Sequence, residues 1–327
     1  MSYSTPFPAV TVFAPGSIGN LACGFDALGM ALHGPGDEVE ARLAPEPGLR
    51  IVEITGATSP LPADPSRNSA GAAARAVLER SGGWRPTEGP GVELRLRKGL
   101  PLSGGMGGSA SSAAAAAFAV DQVMETHLPP EDLLEATLEG EWATSRSRHG
   151  DNAAASLFGG IVLVRSSGRR SLVRLPSPVE LCVALLHPPL EMPTRDSRTV
   201  IPPALTLPDA VVQWQNTAAL VAALYERDWE LLGEAMEDRV SEPARGLLIR
   251  GFPEVKEAAI RKGALGCSVS GGGPSMFALA VGLERAREVG AAMAETYRGV
   301  TGAQATLYLS QGAAPGARVI AGTGGDA

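Results

Sequence analysis

Long apolar runs are missing from this 327-residue chain: no stretch of about 18 consecutive apolar residues occurs, so no membrane-spanning helix is expected. Cysteine is scarce. Cys23, Cys182 and Cys267 are too few for a disulfide framework and too widely separated for zinc spacing. A reducing compartment follows as the expectation. Basic residues are in deficit, with 28 Lys and Arg against 35 Asp and Glu. The net charge of -7 argues against general nucleic-acid binding, although a local basic pocket stays open. The first residues, Met1-Ser2-Tyr3-Ser4-Thr5-Pro6, lack the charged and apolar regions of a signal peptide, and a cytoplasmic location is expected.

What is present reads as a soluble globular enzyme, 44% hydrophobic and 19% charged, long enough for two domains. Forty glycines and 26 prolines punctuate apolar segments, which sets disorder aside except in a loose tail over Gly322–Ala327. The most informative stretch is Pro101-Leu102-Ser103-Gly104-Gly105-Met106-Gly107-Gly108-Ser109-Ala110-Ser111-Ser112-Ala113, which runs into four more alanines and Phe118. Glycine tolerates the backbone angles that gather N–H groups around an anion. A helix starting near Ser109 points its unpaired N–H groups and positive dipole end at the same place. This predicts a phosphate site built from main chain. No Gly-Lys-Ser/Thr follows the glycines, so it is not a Walker loop. No acidic residue ends a second strand about 20 positions on, where the chain reads as helix, so the dinucleotide fingerprint fits poorly.

Around this loop the first half alternates strands and helices. Val10–Ala14 reads as a strand ended by Pro15-Gly16, and Asp37–Leu43, Leu49–Ile54 and Val92–Lys98 alternate in the strand manner. Asn68–Ser81, Ser109–Glu125 and Pro130–Ser147 read as helices. Arg95, Arg97 and Lys98 fit a solvated strand face slightly better than a functional one. After Phe158-Gly159-Gly160 come strands Ile161–Val164, Leu172–Leu175 and Leu181–Leu186, then helices Leu207–Arg227 and Trp229–Arg239. From Glu254 an α-β-β-α-β order suggests a split βαβ sandwich. The expected domains are 1–170 and 171–327.

Three further constellations carry chemistry. The loop Pro15–Gly29 holds Asn20 and Asp26, which either bind a small polar ligand or cap backbone groups. Glu141 falls among apolar residues of a helix, where a carboxylate beside a phosphate loop has Mg²⁺ as its natural partner. Ser109 and Glu141 would suffice as protein ligands, because magnesium leaves its other positions to water and phosphate. His149 stands with Asp151 and Asn152 at a helix end, in either a substrate or a structural role. Gly266–Phe277 is a second glycine-rich turn, either a hairpin or part of the same cleft.

Together these segments resemble the GHMP kinase superfamily, whose three motifs match in order: the N-terminal loop, Pro101–Ser112 and Ser268–Phe277. The resemblance covers essentially the whole chain and is sharpest for the homoserine kinase branch. Pro15, Ser17, Asn20, Leu21, Gly24, Phe25 and Asp26 carry it, as do His149-Gly150-Asp151-Asn152, Thr194–Pro202 and Glu242–Ile249. It implies an α+β fold of two domains, one like ribosomal protein S5 domain 2 with a left-handed βαβ crossover, the other a ferredoxin-like α/β sandwich. It implies ATP- and Mg²⁺-dependent phosphorylation of L-homoserine for threonine biosynthesis, with no nucleic-acid or membrane partner, and it allows a homodimer. Another GHMP acceptor (mevalonate, shikimate or a sugar) and a non-catalytic nucleotide-binding regulator are the alternatives.

Carried over by position, Asn20, Asp26, His149, Asn152, Arg198 and Arg245 form the amino-acid pocket, with Thr194 near the reacting hydroxyl. Asn68, Pro101, Ser103, Gly104, Gly105, Met106, Gly107, Gly108, Ser109, Ala110 and Ser111 form the nucleotide side. Ser109, Glu141, Asn152 and Thr194 are the catalytic set, with Ser109 and Glu141 as metal ligands. The chemistry agrees: an ammonium asks for an acid, Asp26, and a carboxylate for the bidentate guanidiniums of Arg198 and Arg245. Three places depart from the family pattern: Ile18-Gly19, Ala22-Cys23, and Gly108 where a serine is usual. The main-chain cradle and Ser109 survive the last change, so weaker nucleotide affinity is expected, not loss of activity.

Overall fold

The computed structural model describes residues 7–146, 148, 150–165, 171–192 and 194–323, with the side chains of 194–196 and 323 set aside. The first half comprises β1 (Ala9–Gly19), β2 (Leu28–Ala44), β3 (Leu49–Thr55), α1 (Ser69–Arg80) and β4 (Gly91–Arg97). It continues through α2 (Gly108–Val123), α3 (Pro130–Ser145), α4 (Gly150–Phe158), β5 (Ile161–Val164) and β6 (Leu172–Leu175). β1 and β2 pair antiparallel, β2 pairs antiparallel with β4, and β3 joins β4 in parallel through α1. β2 is long enough to serve two neighbours, since Leu28–Met30 pair with β5 and Glu38–Ala44 with β4.

Alanine decides where the helices lie. Ala113–Ala117 are all fully buried, and α2 packs at once against α1, α3, β1 and β2. A helix surrounded on every side needs short side chains, because larger ones would push its neighbours apart. Gly140 of α3 makes the same close approach. A Cβ there would lie 2.5 Å from the Ser69 carbonyl and 2.8 Å from the Ala113 methyl. At the N-terminus of α1, the Asn68 side chain accepts a hydrogen bond from Ala70 N at 3.0 Å.

The second half contains β7 (Leu181–His187), α5 (Thr194–Thr199), α6 (Leu207–Glu226), α7 (Trp229–Ala235), α8 (Glu242–Arg245) and α9 (Phe252–Arg261). It ends with β8 (Gly266–Val269), β9 (Met276–Val281), α10 (Leu283–Thr301) and β10 (Thr306–Ser310). Its antiparallel sheet runs β10-β7-β9-β8, which is the order of a split βαβ sandwich. β11 (Arg318–Thr323) then returns to the first sheet and pairs antiparallel with β1.

Several sequence expectations change here. β1 does not stop at Pro15-Gly16: it runs on to Gly19, and its register with β2 shifts between Pro15 and Ser17. Proline is tolerated in a strand where the ladder is interrupted. The expected cut at 170/171 falls between β5 and β6, which pair with each other in one sheet. Gly322 sits opposite Val10 in β11, and residues 324–327 of the expected tail lie outside the described residues. One buried cluster draws on both halves, joining Ile18, Leu21, Met30 and Met106 to Val183, Leu185, Leu224 and Phe277. Cys23 lies in this cluster and Cys267 in a second one, and loss of hydration pushes both thiols up to about 12. No helix among the described residues is long and apolar enough to cross a membrane.

Candidate active site

A cleft of about 400 Å³ lies where the three glycine-rich segments meet. The segment after β1 enters it in a run of left-handed backbone, with φ of 69° at Asn20, 42° at Leu21 and 63° at Ala22, and 55° at Asp26. Strain of this kind persists only where the surroundings hold it. Asn20 supplies the hold. Its Oδ1 accepts from Asp26 N at 3.1 Å, its Nδ2 donates to Gly271 O at 3.2 Å, and its own N–H donates to Asp151 Oδ2 at 2.8 Å. The capping alternative for Asn20 therefore describes its side chain, although the residue still lines the cleft.

Asp26 faces Arg198 instead of open solvent. Arg198 NH1 donates to Oδ1 at 3.0 Å and NH2 to Oδ2 at 2.6 Å, a bidentate pair about one-third exposed. That pairing holds the Arg198 guanidinium above its usual pKa range. Arg245 is buried to 2% exposure and donates from Nε to Ser197 O at 3.1 Å and from NH1 to Gly271 O at 2.8 Å. Burial pulls Arg245 below its usual range, while Asp26 and Asp151 pull the other way. Both guanidiniums sit over the Phe25 ring, at 5.4 Å and 5.6 Å from its centre. An acid, two guanidiniums and an aromatic face thus share one corner.

Asp151 and Asn152, at the start of α4, are turned toward the chain. Asp151 is 1% exposed, and Oδ1 accepts from Asn152 N at 2.9 Å while Oδ2 accepts from Asn20. Asn152 Oδ1 accepts from Ser17 Oγ at 3.0 Å. His149 lies outside the described residues. Thr194 begins α5, and its side chain is likewise outside the description.

The phosphate loop forms the opposite wall. Gly105 (φ 73°) and Gly107 (φ 66°) are left-handed, and Gly107 precedes the first turn of α2, placing Gly108 and Ser109 at the helix start. Pro101, Ser103, Gly104, Gly105, Gly107, Gly108 and Ser109 line the cleft, with Asn68 and Glu141 across from them. Three residues of the expected set turn their side chains away. Met106 and Ala110 are buried in apolar clusters, and Ser111 Oγ donates to Ala14 O at 2.8 Å while accepting from Asp37 N at 3.1 Å. Within α2 the helical period carries the side chains of Ala110 and Ser111 back toward the sheet. The Asn68 amide is occupied by its cap and by Pro62 O at 2.9 Å. Glu141 is 2% exposed.

Sequence reasoning missed Lys98. Arg95 and Arg97 are exposed and pair with Glu53 and Glu38 at 3.4 Å and 3.3 Å, as a solvated strand face should. Lys98 is buried, lines the cleft, and donates to Asp37, to Ser112 Oγ at 2.7 Å and to Gly108 O at 2.9 Å. The signal was available: Lys98 continues the alternate positions Val92, Leu94 and Leu96, all of which are buried.

Residues 68–160 match the family model of the GHMP kinases N-terminal domain, and residues 220–299 match that of the GHMP kinases C-terminal domain. A homoserine kinase of Chloroherpeton thalassium is 41% identical over 316 residues, covering 95% of this chain and 99% of that protein. One from Xylella fastidiosa strain 9a5c is 41% identical over 267 residues, covering 81% and 80%. The crystal structure of homoserine kinase from Cytophaga hutchinsonii superposes with a TM-score of 0.90 at 40% identity, covering 98% of this chain and 99% of that one. Mevalonate kinase of L. major shares the fold at a TM-score of 0.68 and 16% identity, covering 95% and 99%. With both domain models, full-length relatives and the three motifs in one cleft, the chain belongs to the homoserine kinases of the GHMP kinase family.

Proposed function

We propose that this protein transfers the γ-phosphoryl group of ATP to the side-chain hydroxyl of L-homoserine, releasing ADP and O-phospho-L-homoserine. The observation that carries this reading is the corner formed by Asp26, Arg198, Arg245 and Phe25 beside a glycine-rich loop that opens a helix. Asp26 matches an α-ammonium, and the two guanidiniums match an α-carboxylate. The alternative acceptors, mevalonate, shikimate and a sugar, present no such pair of charges.

Transfer proceeds in line: the hydroxyl oxygen bonds to the γ-phosphorus as the bridging bond to ADP breaks. A loose transition state asks mainly for positioning and charge stabilisation, which the loop N–H groups and the start of α2 supply. Asn152 carries an amide and cannot take up a proton. The Asp151 carboxylate accepts N–H groups from Asn20 and Asn152. The hydroxyl proton therefore passes with the transferred group to a phosphoryl oxygen. Among the described residues, no group of three or more His, Cys, Asp or Glu gathers to cage a metal. Ser109 and Glu141 both line the cleft, and two such oxygens suit Mg²⁺, which takes one or two from protein and the rest from phosphate and water. Glu141 and Ser109 would hold it, and it would neutralise charge on the phosphates. Thr194 is assigned to the neighbourhood of the hydroxyl on the family resemblance, and a cytoplasmic role in threonine biosynthesis follows from the same source.

An ADP-release assay with ATP and Mg²⁺ tests the reading against L-homoserine, mevalonate, shikimate and galactose. L-Homoserine is expected to give turnover at least about 100-fold above the others, the discrimination available when buried charged groups are left unpaired by the wrong ligand. Equal turnover with a neutral acceptor, or ATP binding without transfer to any of them, would refute it.

A further inference from the structure

A main-chain anion site works only if its carbonyl oxygens are turned away from the anion. In a trans peptide the C=O of one residue and the N–H of the next point in opposite directions. Holding a carbonyl from behind therefore aims the following N–H forward. In this protein four consecutive carbonyls of the phosphate loop are held. Met192 N donates to Ser103 O at 3.1 Å, and Ser17 N donates to Met106 O at 3.0 Å. Between them, Gly104 O accepts from Ser275 Oγ at 2.5 Å and from Ser275 N at 3.3 Å, and Gly105 O accepts from Ser270 Oγ at 2.7 Å. Among the described residues, no backbone or side-chain acceptor takes the N–H of Gly104, Gly105, Met106 or Gly107.

We infer that Ser270 and Ser275 are positioning residues for phosphoryl transfer, fixing the peptide planes that present the Gly105 and Met106 N–H groups to the nucleotide phosphates. This rests on the proposed reading that phosphates occupy the loop. Both serines are fully buried and belong to the turn between β8 and β9, so they reach the loop from the other half of the molecule. The approach is close: a Cβ on Gly105 would lie 2.6 Å from Ser270 O and 2.7 Å from Gly273 O. His187, at the end of β7, completes the arrangement. Its Nδ1 lies 3.1 Å from Ser275 Oγ. Since the Ser275 proton is committed to Gly104, Nδ1 carries the ring proton and donates it. Burial favours the neutral ring, which keeps Nε2 unprotonated.

The test is direct ADP binding by isothermal titration calorimetry, alongside steady-state KM values for ATP and L-homoserine and a thermal melt. Ser270→Ala is expected to weaken ADP binding about tenfold, the loss of one committed hydrogen bond, and Ser275→Ala about threefold, because Ser275 N still holds Gly104 O, with the KM for L-homoserine changed less than about twofold in both. Ser275→Thr keeps the hydroxyl and is expected to restore ADP affinity to within about twofold of wild type. Should the alanine variants not fold, His187→Leu removes the ring behind Ser275 and Gly104 and is expected to weaken ADP by about threefold with L-homoserine unaffected. ADP affinity unchanged in the folded variants, or an equal loss for both substrates, overturns the inference while wild-type turnover leaves the functional reading intact. Wild-type protein that fails to bind ADP overturns both.

Discussion

Asp26 and Arg198 meet edge to edge, with both carboxylate oxygens taken by both terminal guanidinium nitrogens at 3.0 Å and 2.6 Å. The two side chains expected to grip opposite ends of a zwitterion grip each other. An entering amino acid can replace this contact group for group, its ammonium taking the acid and its carboxylate the guanidinium. A ligand with only one charge would separate the pair and leave a member uncompensated. Arg245 stays in reserve behind Phe25, anchored to Ser197 O and Gly271 O.

Removing either charge should therefore damage amino-acid binding far more than nucleotide binding. Asp26→Asn keeps the shape and is expected to raise the KM for L-homoserine by about 10- to 100-fold, the worth of a charge-assisted hydrogen bond. Arg198→Lys keeps the charge but loses the fork, and a smaller rise of the same kind is expected. Steady-state kinetics with each substrate varied in turn decide it. A matching rise in the KM for ATP would remove both residues from the amino-acid pocket.

Glu141 brings a carboxylate at 2% exposure to the cleft that the phosphate loop also lines. Taking such a group out of water is costly, and a cation bound with the nucleotide offsets that cost. Glu141→Gln is isosteric and is expected to lower kcat by about 100-fold or more at fixed Mg²⁺, with L-homoserine binding preserved. A titration of activity against Mg²⁺ provides the measurement. Turnover at the wild-type level and wild-type Mg²⁺ requirement would end the assignment.

Local chemistry was readable in the residues, and long-range pairing was not. The phosphate loop and α2 could be seen because glycine, serine and alanine each have a local conformational consequence there. The order of β8, β9, α10 and β10 was likewise visible from period and punctuation. Asn20 and Asn152 read as ligand contacts, yet with Asp151 they make hydrogen bonds to chain segments 131 to 251 residues distant, apart from those to Asp26 and between Asp151 and Asn152. No local signal announces such a partner. β11 was missed for the same reason, since it is a strand only by virtue of the β1 edge it completes.

Gly108 departs from the family pattern without a structural need for glycine. Its φ is not left-handed, and a Cβ would sit 3.6 Å from Leu100 Cβ and from Pro101 O, ordinary contact distances. Gly108→Ser is expected to stabilise by about 0.4–1 kcal/mol through a less flexible unfolded chain. That corresponds to a Tm higher by about 1–3 °C. The new hydroxyl borders the cleft, so tighter ADP binding should accompany it. A lower Tm in a melting experiment would mean that the first turn of α2 cannot admit a side chain.

Lys98 and Asp37 form the buried ionic support beneath that turn, with side-chain exposures of 4% and 1%. Asp37 is also held by Gly99 N at 3.0 Å, Leu100 N at 3.2 Å and Ser112 Oγ at 2.6 Å. Lys98→Met leaves this carboxylate without its cation and is expected to destabilise by about 3–5 kcal/mol. Converting both, as Lys98→Met with Asp37→Leu, should cost less than the sum of the single changes, by about 1–3 kcal/mol in a double-mutant cycle. Urea denaturation of the four proteins measures this. Because Lys98 also donates to Gly108 O, its loss should weaken ADP binding even where the fold survives. Strict additivity of the two substitutions would show that the ammonium and the carboxylate act separately, the carboxylate being held by Gly99 N, Leu100 N and Ser112 Oγ without help from Lys98.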